Sequence, residues 1–563
     1  MRSLISAYVN TYRNTFAVDI LERFNLVQVD EHFALKDESD DSLCKEDISK
    51  DVPNADLEAL EKQPSGNVTL ASAGGIISAG DDNSGELKDA KDATDPYLVQ
   101  FRGTKDPDHP HNWLGFKKFV VILEIMLLTC VTYMGSAIYT PGQEEIQKEF
   151  GVGHVVGTLN LSMYVLGYGL GPMVFSPLSE FAMYGRQQLY IITLFLFSML
   201  QIGCALVHNI AGLVILRFIT GILCSPSLAT GAASIGDIVT PQWVPVFIGM
   251  WSIGAVAAPV TGPLLGASMV VAKNWRWIFW LLMWMSAALL IVLIFFFPET
   301  GEDNILYRRC VRIRKITGDD RYYTFKAREE AKLTFKDIAV VALYRPFEII
   351  VKEPIVLALD IYIALCYGTF YLFFEAFPIV FAGVYHFTLI ELGLAYMGFC
   401  VGCVFAYAIS LIFLSQYGAR QAKKNRFTPE TFLVLAMGVC WCLPLALFLF
   451  GWAASVHWTL PMLAEIFFVI CVFNLFQATF SYLAMSYPKY MASVFAGNGV
   501  MRAGFACAFP LFGKAMYDNL AIKGYPVAWG SSLLGFFSIG LAVLPFLLYK
   551  YGPYLRSKSK FSG

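Results

Sequence analysis

The sequence predicts an all-α membrane protein with twelve transmembrane helices in two halves of six. Three observations carry that prediction. The 563 residues are 56% hydrophobic and only 15% charged, with a mean hydropathy of +0.55, more apolar surface than a water-soluble globule of this length needs. Runs of about 20 residues with few charges recur along the chain, the length an α-helix takes to cross a bilayer. The string GYGLGPMVFSPLSEFAMYGRQ, Gly167 to Gln187, has a related piece in SQYGARQAKK, Ser415 to Lys424. The first closes an apolar run and the second follows one, and matching punctuation in two halves points to alternating access.

In chain order, residues 1–115 read as a cytosolic, mostly disordered N-terminal tail. Glu38 to Glu61 and Asp81 to Asp95 are rich in charged and small polar residues, too polar to bury a core. Met1 to Leu26 reads as a weak amphipathic helix. Arg13, Asp19, Glu22 and Arg23 interrupt it, unlike a signal peptide with its continuous apolar centre. Residues 116–297 form the first half, with apolar runs at 119–140, 158–178, 189–207, 210–235, 245–270 and 277–297. A cytosolic central loop, 298–353, separates it from the second half, 354–549. The runs there are 354–380, 392–414, 430–451, 458–482, 492–516 and 527–549. Residues 550–563 form a cytosolic tail. Pro259, Pro263, Pro378 and Pro510 do not argue against helices, because bundled membrane helices satisfy the freed backbone groups through their neighbours. Lys and Arg collect in the central loop (Arg308 to Lys336), after the eighth run (Arg420 to Arg426) and at the C-terminus (Lys550 to Lys560). Alternate loops carry fewer, which puts both termini on the cytoplasmic side.

Several function classes have no support. No GxxxxGK[ST], HExxH or GxSxG is present, and Gly167, Gly169 and Pro172 fail the dinucleotide pattern. No enzyme chemistry, cofactor, metal or nucleic-acid partner is therefore expected. The twelve cysteines lie mostly inside apolar runs and read as small buried hydrophobes. Cys400 and Cys403 form a lone CxxC inside such a run.

Charges inside a bilayer are costly, so each is a candidate functional group. Arg217, in LVILRFITGILCSP, needs a carboxylate, a carbonyl cluster or water beside it. It reads either as a field element acting on a proton site or as half of a structural ion pair. Glu375, in YGTFYLFFEAFPIVF, reads as a proton-exchanging or cation-attracting carboxylate, or as one that reaches the outer interface. Glu465 is similar in kind, whereas Glu124, near Lys117 and Lys118, reads as an interfacial ion pair. Tyr164, Tyr168, Tyr367, Tyr371, Phe377 and Tyr407 are candidates to line a cavity, with Gln477 and Asn498 supplying hydrogen bonds. Packing between helices competes with that role at each position. In GAVAAPVTGPLLGA, Gly254, Ala258, Gly262 and Gly266 fall four apart, so they share a face that permits close helix contact. Pro259 and Pro263 add a bend.

With these residues in view, the chain resembles the major facilitator superfamily, specifically its fungal twelve-span drug:proton antiporters, from about Asn112 to Ser559. Gly171, Pro172, Pro177, Leu178, Ser179, Glu180, Gly185 and Arg186 resemble the family's conformational loop motif. Arg217 and Gly221 resemble the fourth-span arginine motif, and Gly254, Pro259, Gly262, Pro263 and Gly266 the fifth-span antiporter motif. PETGEDNILYRRCVRIRK, RPFEIIVKEP and NGVMRAGFACAFPLF look like fungal members, most of all the yeast exporters for benomyl, methotrexate and fluconazole resistance. Two departures stand out: four residues, Phe181 to Tyr184, separate the loop acid from its glycine, and Gln187 replaces the usual second basic residue.

The resemblance implies the major facilitator fold in a plasma membrane and proton-coupled export of small hydrophobic drugs by a monomer. It implies a proton-coupling role for Arg217, to which Glu375 is added from its placement. Substrate contacts are expected from Tyr164, Tyr367, Tyr371, Glu375, Phe377, Gln477 and Asn498. A physiological exporter of polyamines or another endogenous metabolite, and a non-transporting membrane sensor, remain as alternatives.

Overall fold

The computed structural model describes residues 12–23, 95–102, 106–240, 243–424 and 426–561. Among these residues twelve long helical segments follow one another. The first six are α1 (Gly115–Met134), α2 (His154–Glu180), α3 (Gly185–Leu206), α4 (Ile210–Ile238), α5 (Val244–Ala272) and α6 (Arg276–Phe296). The second six are α7 (Pro354–Phe377), α8 (Leu389–Lys423), α9 (Glu430–Ala453), α10 (Thr459–Ser486), α11 (Met491–Leu520) and α12 (Ala528–Lys558). Ten of them are long and apolar enough to cross a membrane among the described residues. The other two, α1 and α11, have the length but carry polar groups, Lys117, Lys118 and Glu124 in one and Asn498 and Arg502 in the other.

The packing repeats with a shift of six helices. In the first half α1 packs on α5, α2 on α4 and α3 on α6; in the second, α7 packs on α11, α8 on α10 and α9 on α12. The halves meet where α2 runs along α11 and α5 along α8. Large apolar side chains such as Phe195, Ile215, Val292, Phe405 and Phe537 face outward, as expected of helices surrounded by lipid tails.

Two boundaries and the make-up of the central segment differ from the expectation. The first apolar run extends to residue 140, but α1 stops at Met134, because the next carbonyls are taken by a side chain from α4. The central segment is largely helical, with helices at Glu302–Thr317, Phe325–Glu330 and Arg345–Lys352. α12 continues past residue 549 to Lys558, its last turns held by Arg556 pairing with Glu430 and bonding the Tyr482 hydroxyl at 3.1 Å. The segment before α1 is tied down where it is described. Phe16–Arg23 is helical, Val99 donates to the Tyr323 carbonyl at 2.9 Å, and Glu299 donates its backbone N–H to Asn14 at 3.0 Å. Ser559 reaches Glu353 at 2.7 Å, so both ends of the described chain lie at the same end of the bundle as the central segment. The rest of the expected tail, 1–11, 24–94 and 103–105, with most of the expected amphipathic helix over Met1 to Leu26, falls outside the described residues.

Candidate site between the two halves

Arg217 is fully buried in the first half, and a carbonyl cluster holds it. Its Nη1 donates to the Gly135 carbonyl at 2.7 Å, Nη2 to Ser136 at 3.0 Å and Nε to Asn160 at 3.1 Å. The guanidinium lies 4.4 Å from the Tyr164 ring centroid, and no carboxylate among the described residues pairs with it. The groove that admits it depends on Gly221, where a Cβ would stand 2.2 Å from the Tyr164 carbonyl. α1 therefore runs into buried carbonyls at the negative end of its dipole, and a fixed cation from α4 closes them.

That same turn reaches the other half. The Ser136 hydroxyl accepts from Tyr371 at 3.1 Å. Tyr168 bonds Tyr367 at 2.7 Å and Tyr371 at 3.2 Å, and Tyr133 bonds Tyr367. Four tyrosine hydroxyls and a serine thus bridge α1 and α2 to α7, all of them buried. At the end away from the termini, Glu375 makes a second bridge. It accepts from Thr158 at 3.2 Å and lies 3.2 Å from the His154 ring nitrogen. It is buried and paired across the halves rather than reaching out to the interface.

Other candidates land elsewhere. Tyr164 is the platform under Arg217, with its hydroxyl on the Thr132 carbonyl at 2.5 Å. Phe377 belongs to an aromatic core inside the second half, stacked on Tyr396 with ring centroids 4.5 Å apart. Tyr407 donates to the Val246 carbonyl at 3.0 Å, with Gln477 beside it near Gly249, where α5 meets α8. Asn498 bonds Asp360 at 2.7 Å. Glu124 makes no interfacial ion pair: it is buried with both oxygens unbonded among the described residues. Lys118 turns to the His111 carbonyl and Lys117 to the Trp113 ring instead. Glu465 is likewise buried, and no side chain among the described residues pairs with it.

Residues 125–510 match the family model described as the Major Facilitator Superfamily. The chain belongs to the major facilitator superfamily. It is 59% identical over 99% of both chains to fluconazole resistance protein 1 of Saccharomyces cerevisiae. It is 65% identical to a multidrug transporter of Candida glabrata, over 84% of this chain and 85% of that one. Among solved structures, the xylose transporter XylE from E. coli shares the fold, with a TM-score of 0.53 and 13% identity over 77% of this chain and 99% of that one. The protein is thus a multi-pass membrane protein.

In this facilitator the loop motif is a joint made by several elements. α2 is interrupted at Gly171 and Pro172, Pro177 lies in its last turns, and Glu180 ends it. Gly185 has φ +68°, the left-handed region that favours glycine, and turns the chain into α3. Arg186 pairs with Asp237 at the end of α4, and Glu180 makes no ion pair with it. The Glu299 carboxylate accepts the backbone N–H groups of Arg186 at 3.1 Å and Gln187 at 3.0 Å, an anion at a helix N-terminus. Gln187 is buried, and Arg308 of the central segment donates to it at 3.0 Å. A guanidinium thus lies directly against Gln187. The small-residue face of α5 lies on α1 and on the turn that follows it. A Cβ at Gly266 would stand 2.1 Å from the Ile138 carbonyl, and one at Gly262 2.9 Å from the Ile138 nitrogen. Gly254 faces Met126 more loosely, and Pro259 and Pro263 are buried within the helix.

Sequence reasoning passed over four groups: His154, Asp237, Asp360 and Arg502. Asp360 and Arg502 are charges within apolar runs, the same signal that singled out Arg217.

Around the terminal end, the arginines of helix Glu302–Thr317 clasp the segment before α1. Arg309 binds Asp106 and Asp108 at 2.8 Å, Arg308 binds Asp19 at 2.7 Å and Arg312 binds Glu22 at 3.2 Å. Burial pushes the Asp106 carboxyl up, but the Arg309 guanidinium and the backbone N–H groups of Asp108 and Arg102 outweigh it and hold it below the usual carboxylate range.

Proposed function

We propose that this facilitator exports hydrophobic, structurally varied toxic compounds from the cytosol across the plasma membrane in exchange for protons. The observation that carries the reading is the similarity over nearly the whole chain to a protein named for fluconazole resistance. The termini, the central segment and the Arg308 clasp face the cytosol, and one chain suffices. Substrate enters between the halves from that side when the joint at Gly185 and Arg186 opens. It then displaces the hydroxyl bridge of Tyr168, Tyr367 and Tyr371, whose flat rings and few directional groups suit varied aromatic compounds.

Export requires that substrate and proton bias one two-state equilibrium in opposite directions. Arg217 is suited to transmit such a bias. It fixes the turn at Gly135 and Ser136, and Ser136 touches Tyr371 of the other half. Glu375 is the carboxylate that answers to a proton arriving from outside. Its bridge to His154 and Thr158 holds the outer ends of α2 and α7 together, and protonation removes the negative charge that His154 meets there.

The test is efflux of preloaded rhodamine 6G from cells expressing the chain, with and without a protonophore. Efflux that collapses with the gradient supports drug:proton exchange. Absent dye efflux at normal surface abundance, with saturable spermidine export, would replace it with the polyamine reading.

A further inference from the structure

One cluster has no part in that mechanism. Asp360 on α7 is fully buried. One carboxylate oxygen accepts from Asn498 at 2.7 Å, and the other has no hydrogen-bond partner among the described residues. Arg502 follows Asn498 by one turn of α11, so the two share a face. Its charge acts on Asp360, yet no ion pair joins them. The guanidinium instead stands over three rings, 5.2 Å from the Tyr367 centroid, 5.4 Å from Phe476 and 5.6 Å from Phe480. Its Nε makes no hydrogen bond among the described residues.

An ionised carboxylate within reach of a guanidinium in a dry interior would draw it into direct contact, since charge-assisted bonds outweigh ring faces there. Arginine stays charged throughout. A guanidinium seated on the rings therefore marks a neutral Asp360, and the same guanidinium has a second seat on an ionised one. Arg502 is the charged group that bears on Asp360; on Arg502 bear Asp360 and the hydroxyls of Tyr133, Tyr168 and Tyr371.

We propose that Asp360 is a proton-exchange site of the second half and Arg502 its moving counter-charge. With Asp360 protonated, Arg502 rests on the rings and braces Tyr367, whose hydroxyl reaches Tyr168 and Tyr133 across the halves. When the carboxyl O–H bond breaks, its proton passes to water on the open side. Arg502 then moves onto the carboxylate, and the vacated cage of Tyr367, Phe476 and Phe480 receives a cationic or flat aromatic substrate. This rests on the proton-coupled export reading and adds a second protonation site to it.

The first measurement is a pH-difference infrared spectrum of the purified full chain in nanodiscs, beside Asp360→Asn. A protonated-carboxyl band that disappears as pH rises, and is missing from Asp360→Asn, is the expected result. Superimposable difference spectra overturn the proposal. Should Asp360→Asn fail to reach the membrane, Arg502→Gln serves. Without its counter-charge Asp360 keeps its proton, so the band should persist to higher pH, and an unchanged titration overturns the proposal equally. Protonophore-insensitive rhodamine 6G export by the wild-type chain would strike down drug:proton exchange and with it the coupling role, while the infrared band still decides whether the site titrates.

Discussion

Replacing Arg217 by Met removes three donors from three buried carbonyls, those of Gly135, Ser136 and Asn160. Leaving a buried acceptor unsatisfied costs about 1–3 kcal/mol, so the three together cost about 3–9 kcal/mol. Removing a buried cation returns several kcal/mol of desolvation. The balance is a destabilisation on the order of 2 kcal/mol, concentrated where α1 ends and α4 crosses it. Arg217→Lys keeps the charge, but a point donor cannot span three diverging carbonyls, so it should lose about one bond, roughly 1 kcal/mol. Thermal unfolding of the solubilised protein should rank wild type above Lys and Lys above Met. Dye export should follow that order and vanish in Met, because the Ser136 turn then no longer meets Tyr371. A Met variant with wild-type melting and wild-type export would refute both the capping argument and the role of this turn.

Three further outcomes follow from the geometry. Gly185→Ala should cost about 1–2 kcal/mol from its left-handed backbone alone. Its new Cβ would stand 2.5 Å from Glu299, so a lower melting temperature with reduced export is expected, and unchanged melting would discount the joint. Tyr367→Phe removes hydroxyl contacts worth about 1 kcal/mol, shifting the equilibrium toward separated halves about fivefold; cysteine cross-linking between α2 and α7 should slow accordingly. The clasp has its own pH range. Because Asp106 is held below its ordinary value of 3.8, its contribution is complete above that value and is lost as pH falls through the lower folded value. Hydrogen exchange at Val99 should stay protected at about pH 5 and open only below about pH 4, whereas opening between pH 6 and 5 would contradict the pairing.

Much of this architecture was legible as sequence, because a bilayer demands long apolar runs and polar segments separate them cleanly. The end of α1 was not: its apolar run continues to residue 140, and only the arrival of Arg217 from α4 converts Gly135 and Ser136 into a turn. The small-residue spacing of α5 announced a close contact but could not name α1 as the neighbour. Arg217 and Glu375 were visible as charges in apolar surroundings. Asp360 carried the same signal within LALDIYIAL, and Arg502 lay in a string read only for its resemblance. The clasp was invisible because composition marks a segment as polar without revealing that three arginines far along the chain match its acids.

The carbonyl cage around Arg217 also bears on biosynthesis. Gly135 and Arg217 are 82 positions apart, so at about 5–20 residues per second the ribosome emits the partner of the first helix roughly 4–16 seconds after that helix is made. Until then α1 has bare carbonyls at its end and cannot rest finished in lipid. Asp360 and Asn498 repeat the situation across 138 positions, with a carboxyl group in α7 waiting on α11. Each half therefore has to be sheltered by the insertion machinery and released as a group, and a chain truncated after its third helix should be retained and degraded rather than integrated.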